Sequence, residues 1–256
     1  MSVDHANIGE SMSNAESSEF NRNISQQITT RILAGAALLG AISWMAVLIP
    51  DDWLKVPFWG IALIDLVAIP WIIAFLMFGL RGGLITSSIG TLAIFFFSEE
   101  PVPLAGAISK YLAITPLILT VYLILRKYPK FNNSAETLTR PRVYIVVFAP
   151  AVFVRCVVMV VVNLLIAIPL NMRYWTGIFI SPSEVPGAFY DWLWKWPMEN
   201  LFGRPAEFID ILQPGQLFVL FVVGIFLFNI WLSFIELIIS YIVVYRSGLY
   251  QEFAIW

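Results

Sequence analysis

The chain has 256 residues, of which 59% are hydrophobic and only 12% are charged, and its formal net charge is −2. Soluble domains carry about a quarter charged residues, so this composition excludes a soluble globular protein and predicts an integral membrane protein. Because the chain has one cysteine (Cys156) and one histidine (His5), a disulfide framework, a zinc cluster and histidine-based catalysis are all excluded.

The first 30 residues are polar and rich in Ser, Asn, Glu and Gln. They lack the basic start and the apolar core of a signal peptide, so we expect them to remain in the mature protein. Their composition predicts a disordered cytosolic tail. Residues 31–248 are then predicted to form the membrane domain, and residues 249–256 a cytosolic C-terminus.

Apolar stretches long enough for membrane helices follow the tail. A transmembrane helix needs about 20 apolar residues, and six stretches approach this length: 32–49, 58–78, 82–97, 104–125, 143–170 and 217–245. The second and third are separated only by "GLRGG" (79–83), which predicts a tight helical hairpin. The predicted fold is therefore an all-α membrane bundle of six transmembrane helices.

The first of these stretches contains a run of small residues, "AGAALLGA" (34–41). Ala36 and Gly40 lie one turn apart on a helix, as do Ala37 and Ala41. Small residues at this spacing let helix backbones approach closely in lipid. The run therefore predicts either packing inside the bundle or a docking face for a partner helix.

The distribution of charge orients the bundle. With the N-terminus inside, the inner segments hold most of the cations, namely Arg22, Arg31, Arg81, Arg126, Lys127, Lys130, Arg140, Arg142 and Arg246. The positive-inside rule then predicts a multi-pass protein of the cell membrane with both termini in the cytosol. The large outer segment, residues 171–216, is rich in tryptophan. We expect it to be either a lid over an outward-facing pocket or a membrane-surface anchor.

A few polar residues interrupt the apolar stretches. Asp65, Lys110 and Asn163 are each predicted about 10 Å below the outer boundary, and Asn229 lies nearer the middle. Since polar groups inside a membrane tend to mark functional sites, these four residues could line one outward-facing cavity. Apolar and aromatic surroundings would suit an aromatic or heterocyclic ligand. The alternative for Asp65 and Lys110 is a salt bridge with each other.

Arg155 and Glu236 form a second polar pair. Counted from the inner ends of the fifth and sixth stretches, they lie about 18 and 14 Å deep. Their matched depth predicts an ion pair with a structural role, which fixes the register of two helices.

Motifs for energy conversion and hydrolysis are absent from the sequence. The chain contains no G-x-x-x-x-G-K-[ST], no G-x-S-x-G and no H-E-x-x-H. We therefore do not expect it to be an enzyme or to hydrolyse ATP itself, and nothing in it indicates nucleic-acid binding. What remains is a prediction of a small six-helix bundle with an outward-facing pocket and no energy source of its own.

Several segments, in order, resemble the S components of energy-coupling factor (ECF) vitamin transporters. These segments are "IPDDWLKVPF", "IPWIIAFLMFGLRGGLITSSIG", "PLAGAISKYLAITPLIL", "NLLIAIPL" and "FNIWLSFIELIISYIVVY". The resemblance covers roughly residues 31–248 and is closest to the riboflavin-binding type. It implies a six-helix subunit that captures a vitamin from outside, while a T component and two ABC-type ATPases supply the energy.

The resemblance also assigns roles to individual residues. Asn163 and Asn229 fall on positions that contact the flavin ring in riboflavin binders, and the loop near Leu54 and Phe58 falls on the segment that closes over the ligand. The small residues Ala36, Ala37, Gly40 and Ala41 fall on the face that docks the T component. Riboflavin or a related flavin is the implied bound ligand, with no other cofactor.

The sequence departs from the riboflavin-binding pattern at several positions. Leu232 stands where a lysine is usual, Ala68 where an acid is frequent, and Leu80 where a proline is usual. Lys110 stands where asparagine is common, which suggests the hypothesis that the binding cation has moved to this helix. The alternatives are an S component for a different vitamin, a non-transporting structural subunit of a larger membrane complex, and a small transporter that works alone.

Overall fold

A computed structural model describes residues 5–49, 64–98, 102–128, 135–167, 169–170 and 214–255, with backbone only for residues 5–24, 135, 214, 215 and 217. The described residues are helical and contain no strand. Five segments are long and apolar enough to cross a membrane: Ser25–Val47, Ala68–Phe97, Pro103–Lys127, Pro141–Ala167 and Phe218–Arg246. An all-α membrane protein is therefore confirmed, whereas the number of six crossings stays a prediction.

The first helix, α1, runs from His5 to Val47. It contains residues 5–30, whose backbone is helical although their composition favours disorder. No proline interrupts this stretch. Once the apolar part has formed a helix, each further residue adds a hydrogen bond without the unfavourable nucleation step, so the helix can extend into polar sequence.

The second helix, α2, spans Ala68–Phe97 but reverses direction at Gly79, whose φ of 67° and ψ of −164° are not helical. A Cβ placed on Gly90 would lie 2.4 Å from Trp71 Nε1. A straight helix would separate these two residues by about 28 Å along its axis. The chain therefore folds back into a first arm (68–78) and a second arm (80–97).

Glycines make this turn and the close contact between the arms possible. Gly79 adopts a positive φ, which glycine reaches without the steric strain that a Cβ would cause. A Cβ on Gly83 would lie 2.9 Å from Phe75 Cβ, and one on Gly82 would lie 2.4 Å from Phe78 Cβ. The tight turn that "GLRGG" predicts is thus observed, with its pivot at the first glycine.

Helix α1 packs against both arms of this hairpin. Thr86 Oγ1 on the second arm donates a hydrogen bond to the Ala36 carbonyl at 3.0 Å. Towards the other end of α1, the Trp71 indole donates to Ser43 Oγ at 2.7 Å, and the Ser43 hydroxyl donates to the Val67 carbonyl at 3.2 Å. All three side chains that donate are fully buried. These polar contacts fix α1 along the hairpin.

Helices α3 and α4 continue the bundle. Helix α3 spans Pro103–Lys127, and α4 spans Pro141–Val162 after a short 3₁₀ helix at Ala135–Thr139. The α-helical hydrogen bonding of α4 ends at Val162, and a π-helical segment, Asn163–Ala167, follows. Helix α3 lies between the hairpin and α4.

Helix α5 spans Pro214–Tyr241 and passes into a π-helical segment, Ile242–Arg246. It runs antiparallel to α4. The Tyr144 hydroxyl near the start of α4 donates to the Leu237 carbonyl at 3.0 Å, and the rings of Phe153 and Phe226 lie 5.7 Å apart between centroids.

The chain then turns at Gly248, whose φ is 82°, into a short helix, α6, at Leu249–Phe253. Beyond α6, the Ile255 backbone N–H donates to the Met77 carbonyl at 2.8 Å. In an unbroken α-helix that carbonyl would accept from the residue four positions later. The reversal at Gly79 frees it, so the C-terminal segment is tied to the turn of the hairpin.

Candidate functional site

The predicted site residues Asp65 and Lys110 contact each other at one end of the bundle. Lys110 Nζ lies 3.3 Å from Asp65 Oδ1. The same oxygen accepts hydrogen bonds from the backbone N–H groups of Val67 at 3.1 Å and Ala68 at 3.4 Å. Asp65 therefore caps the start of α2 and pairs with Lys110. The Asp65–Lys110 salt bridge, which the sequence analysis gave as an alternative, is therefore present.

Arg155 on α4 and Glu236 on α5 form a second ion pair, deep in the bundle. Arg155 Nη2 lies 3.1 Å from Glu236 Oε1, and Nη1 contacts Oε2, so the guanidinium and the carboxylate form a bidentate ion pair. The side chains are 2% and 0% exposed. Arg155 Nε has no hydrogen-bond partner among the described residues. The pair joins two helices, as its predicted structural role requires.

These two pairs belong to one network. Lys110 lies on α3, which packs against α4, the helix of Arg155, and Glu236 lies on α5, which packs against both α4 and α2. We call these four residues the charge network. Two acids oppose two bases, so its formal charges cancel.

Asn163 and Asn229 lie on the helices that carry the inner pair. Asn163 begins the π-helical segment after α4, is half-buried, and donates from its side chain to the Met159 carbonyl at 2.8 Å. Asn229 is 3% exposed and donates to the Ile225 carbonyl at 2.9 Å. Within the described part of the chain, no hydrogen bond joins either asparagine to the charge network. Residues Leu54 and Phe58, like positions 171–213 of the outer segment, lie outside the described residues.

The small residues of α1 divide between two faces. Ala36 is 0% exposed, and a Cβ added to Gly40 would lie 2.8 Å from Ile89 Cγ2 on the second arm. These two residues pack inside the bundle, so their predicted place in a docking face is wrong. Ala37 and Ala41 lie on the adjacent face of the helix and are exposed. The predicted docking face is thereby reduced to these two alanines.

A tyrosine cluster at the other end of the bundle was missed by the sequence reading. The ring centroids are 5.0 Å apart between Tyr144 and Tyr241, 5.3 Å between Tyr241 and Tyr245, and 5.2 Å between Tyr245 and Tyr250. Burial raises the pKa of Tyr250, and the nearby Glu136 carboxylate raises it further. The spacing of Tyr241 and Tyr245, one helical turn apart, was the signal available in the sequence.

Comparisons of the chain with models of protein families, with curated proteins and with solved structures find no match. The fold and the site therefore define its class: an all-helical membrane protein with a four-residue charge network among its helices. In the described residues, no three side chains of His, Cys, Asp or Glu come together as a metal site would require.

Proposed function

We propose that this protein is the substrate-capture subunit of an ATP-driven vitamin importer of the ECF type, with riboflavin or a related flavin as its leading ligand. A T component and two ABC-type ATPases would be its partners in the cell membrane. The observation that carries the proposal is the charge network. Charged groups inside a membrane are expensive and commonly mark the paths of substrates.

The outer pair of the network is the part that a ligand could reach. Lys110 is 29% exposed and Asp65 13%, whereas Arg155 and Glu236 are almost completely buried. Ligand pockets are mostly apolar, with a few polar groups that orient the ligand. A flavin suits such a pocket because its flat ring system carries both donors and acceptors, which a lysine and a carboxylate can match.

The arrangement of cations supports an outward-facing site. The exposed cations of the described residues gather at the end that holds the hairpin turn and the C-terminal segment, namely Arg31, Arg81, Arg126, Lys127, Arg140, Arg142 and Arg246. Asp65 and Lys110 lie towards the opposite end. Under the positive-inside rule, the basic end faces the cytosol and the Asp65–Lys110 pair faces outward.

Ala37 and Ala41 supply the proposed contact with the T component. They lie one turn apart and are exposed, whereas Ala36 and Gly40 are buried against α2. Their lack of bulk would let a partner helix approach the backbone of α1 closely.

The test of this proposal is the small-molecule content of the purified protein. The full chain is purified in mild detergent, and the extracted material is analysed by absorbance and mass spectrometry. We expect a flavin spectrum and a flavin mass in near-stoichiometric amount. A different vitamin would retain the transport class but change the ligand, and protein without any small molecule would contradict substrate capture.

A non-transporting structural subunit is the second candidate. It is favoured by the observation that both acids of the network already have a basic partner in the chain. Such a protein would purify without a small molecule and would copurify with large membrane subunits. A transporter that works alone would differ from both, because it would support uptake without ATPases.

A further inference from the structure

A group of cations surrounds the place where α3 ends, α4 begins and α5 ends. Arg126 and Lys127 lie in the last turn of α3, Arg140 and Arg142 lie on either side of the first residue of α4, and Arg246 ends the π-helical segment after α5. All five side chains are exposed. We call them the basic patch.

Direct contacts bring these helix ends together. The Tyr241 hydroxyl on α5 donates to the carbonyl of Thr139, the residue before Arg140, at 2.7 Å. The Tyr144 hydroxyl, two residues after Arg142, bonds to α5 as well. Helix α3 packs beside α4, and only a short stretch of sequence separates Lys127 from Arg140. The five cations therefore lie at neighbouring helix ends.

The patch has an excess of positive charge. The described acids at this end of the bundle are Glu136 and Glu252, so the five cations outnumber them. An exposed excess of cations attracts anions, and arginine binds phosphate oxygens through two parallel hydrogen bonds. A phosphate group is thus the chemistry that this surface fits.

The position of the patch indicates where that phosphate comes from. The candidate membrane spans end at Lys127, begin at Pro141 and end at Arg246, so the cations lie at the boundary of the apolar region. Tyr128, at the same boundary, is 51% exposed, and tyrosine is enriched at the headgroup level of membranes. Cations at this depth meet lipid headgroups before any soluble molecule.

We propose that the basic patch is a binding site for the headgroup of an anionic phospholipid such as phosphatidylglycerol. The patch is at the opposite end of the bundle from the Asp65–Lys110 pair, so this site is independent of the ligand and of the transport role proposed above. It makes the lipid of one leaflet a stabilising partner of α3, α4 and α5.

The experiment measures lipid binding to the full chain in mild detergent. Short-chain phosphatidylglycerol and phosphatidylcholine are titrated separately, with the thermal midpoint and the number of retained lipids in native mass spectrometry as readouts. We expect phosphatidylglycerol to raise the midpoint and phosphatidylcholine to leave it unchanged. In the Arg140→Gln/Arg142→Gln variant, apparent affinity for phosphatidylglycerol should fall roughly thirtyfold, since each cation near an anionic headgroup contributes to binding.

The matched control is Arg31→Gln/Arg81→Gln. It removes two exposed cations at the same end of the bundle, but from α1 and the hairpin turn, and should keep the affinity of the unchanged protein. Arg246→Gln is a second variant of the patch, and its affinity for phosphatidylglycerol should fall about fivefold. It replaces the double variant as the test if the double variant does not fold.

Equal losses of affinity in the patch and control variants would overturn the site, because they would show a response to overall charge. Equal effects of the two lipids would overturn it too, and would leave an acidic protein surface as the partner to test.

Discussion

The two ion pairs of the charge network differ in geometry and in exposure. Arg155 and Glu236 form a bidentate ion pair and are almost completely buried. Lys110, in contrast, contacts one oxygen of Asp65 at 3.3 Å, and its side chain is 29% exposed. The backbone N–H groups of Val67 and Ala68, at the start of α2, hold the Asp65 carboxylate in place, so the lysine is the member of that pair that can change partners. The comparison suggests a division of work: the inner pair fixes helix register, and the outer pair is available to a ligand.

The largest effect on stability should come from breaking the inner pair. Arg155→Met leaves the Glu236 carboxylate buried without its partner, which we expect to destabilise the fold by about 3–5 kcal/mol. Thermal unfolding of the protein in detergent measures the loss. The double variant Arg155→Met/Glu236→Leu removes both charges and should recover most of the stability. If the single variant unfolds no earlier than Arg142→Gln, the inner pair has no structural role.

An intermediate effect is expected at Asp65. Asp65→Ala removes both the cap of α2 and the partner of Lys110, and should lower stability by about 1–2 kcal/mol. Asp65→Asn retains an oxygen that can cap the helix, so it should lower stability by less. The thermal midpoints of the two variants give the comparison. Equal losses would show that the cap contributes nothing beyond the ion pair.

A smaller effect on stability is expected at Lys110. Lys110→Met removes a partly exposed charge that pairs with Asp65, and such pairs contribute at most about 1 kcal/mol. Ligand affinity should nevertheless fall severely, because this ammonium is the group that we assign to the ligand. Lys127→Met, at the opposite end of the bundle, is the control and should leave affinity unchanged. A Lys110→Met protein that binds normally in a titration would remove Lys110 from the pocket.

The smallest effect on the isolated protein is expected on the exposed face of α1. Ala37→Trp or Ala41→Trp should leave stability and ligand affinity near normal and abolish uptake by cells, because the added ring blocks a partner helix. Ala36→Trp is the contrasting variant. Its side chain would collide with α2, so we expect a lower thermal midpoint as well. Loss of ligand affinity in all three variants would assign the whole stretch to the internal core.

The parts of the structure that the sequence predicted are those set by local chemistry. The glycines of "GLRGG" predict the turn because only glycine adopts the positive φ of residue 79 without strain. Arg155 and Glu236 were paired by charge and depth, and the structure contains this contact. The Asp65–Lys110 salt bridge was one of two alternatives that the sequence left open, and it is present as well.

Other features depend on contacts that a one-dimensional pattern does not contain. Ala36 and Ala37 are neighbours with nearly the same chemistry, and only the packing of α1 on the hairpin buries one and exposes the other. The helical state of residues 5–30 depends on continuity with an apolar helix, whereas composition alone favours disorder.

The most direct test of the central claim is a titration of riboflavin into the protein and its Asp65→Asn/Lys110→Met variant, followed by quenching of flavin fluorescence. The double variant removes the outer pair without leaving an unpaired charge, and the intact inner pair should keep it folded. We predict saturable quenching by the unchanged protein and a loss of at least about a hundredfold in affinity in the variant, as the loss of a charged contact of nearly 3 kcal/mol requires. Equal affinity in the two proteins would contradict the claim that the outer pair holds the ligand.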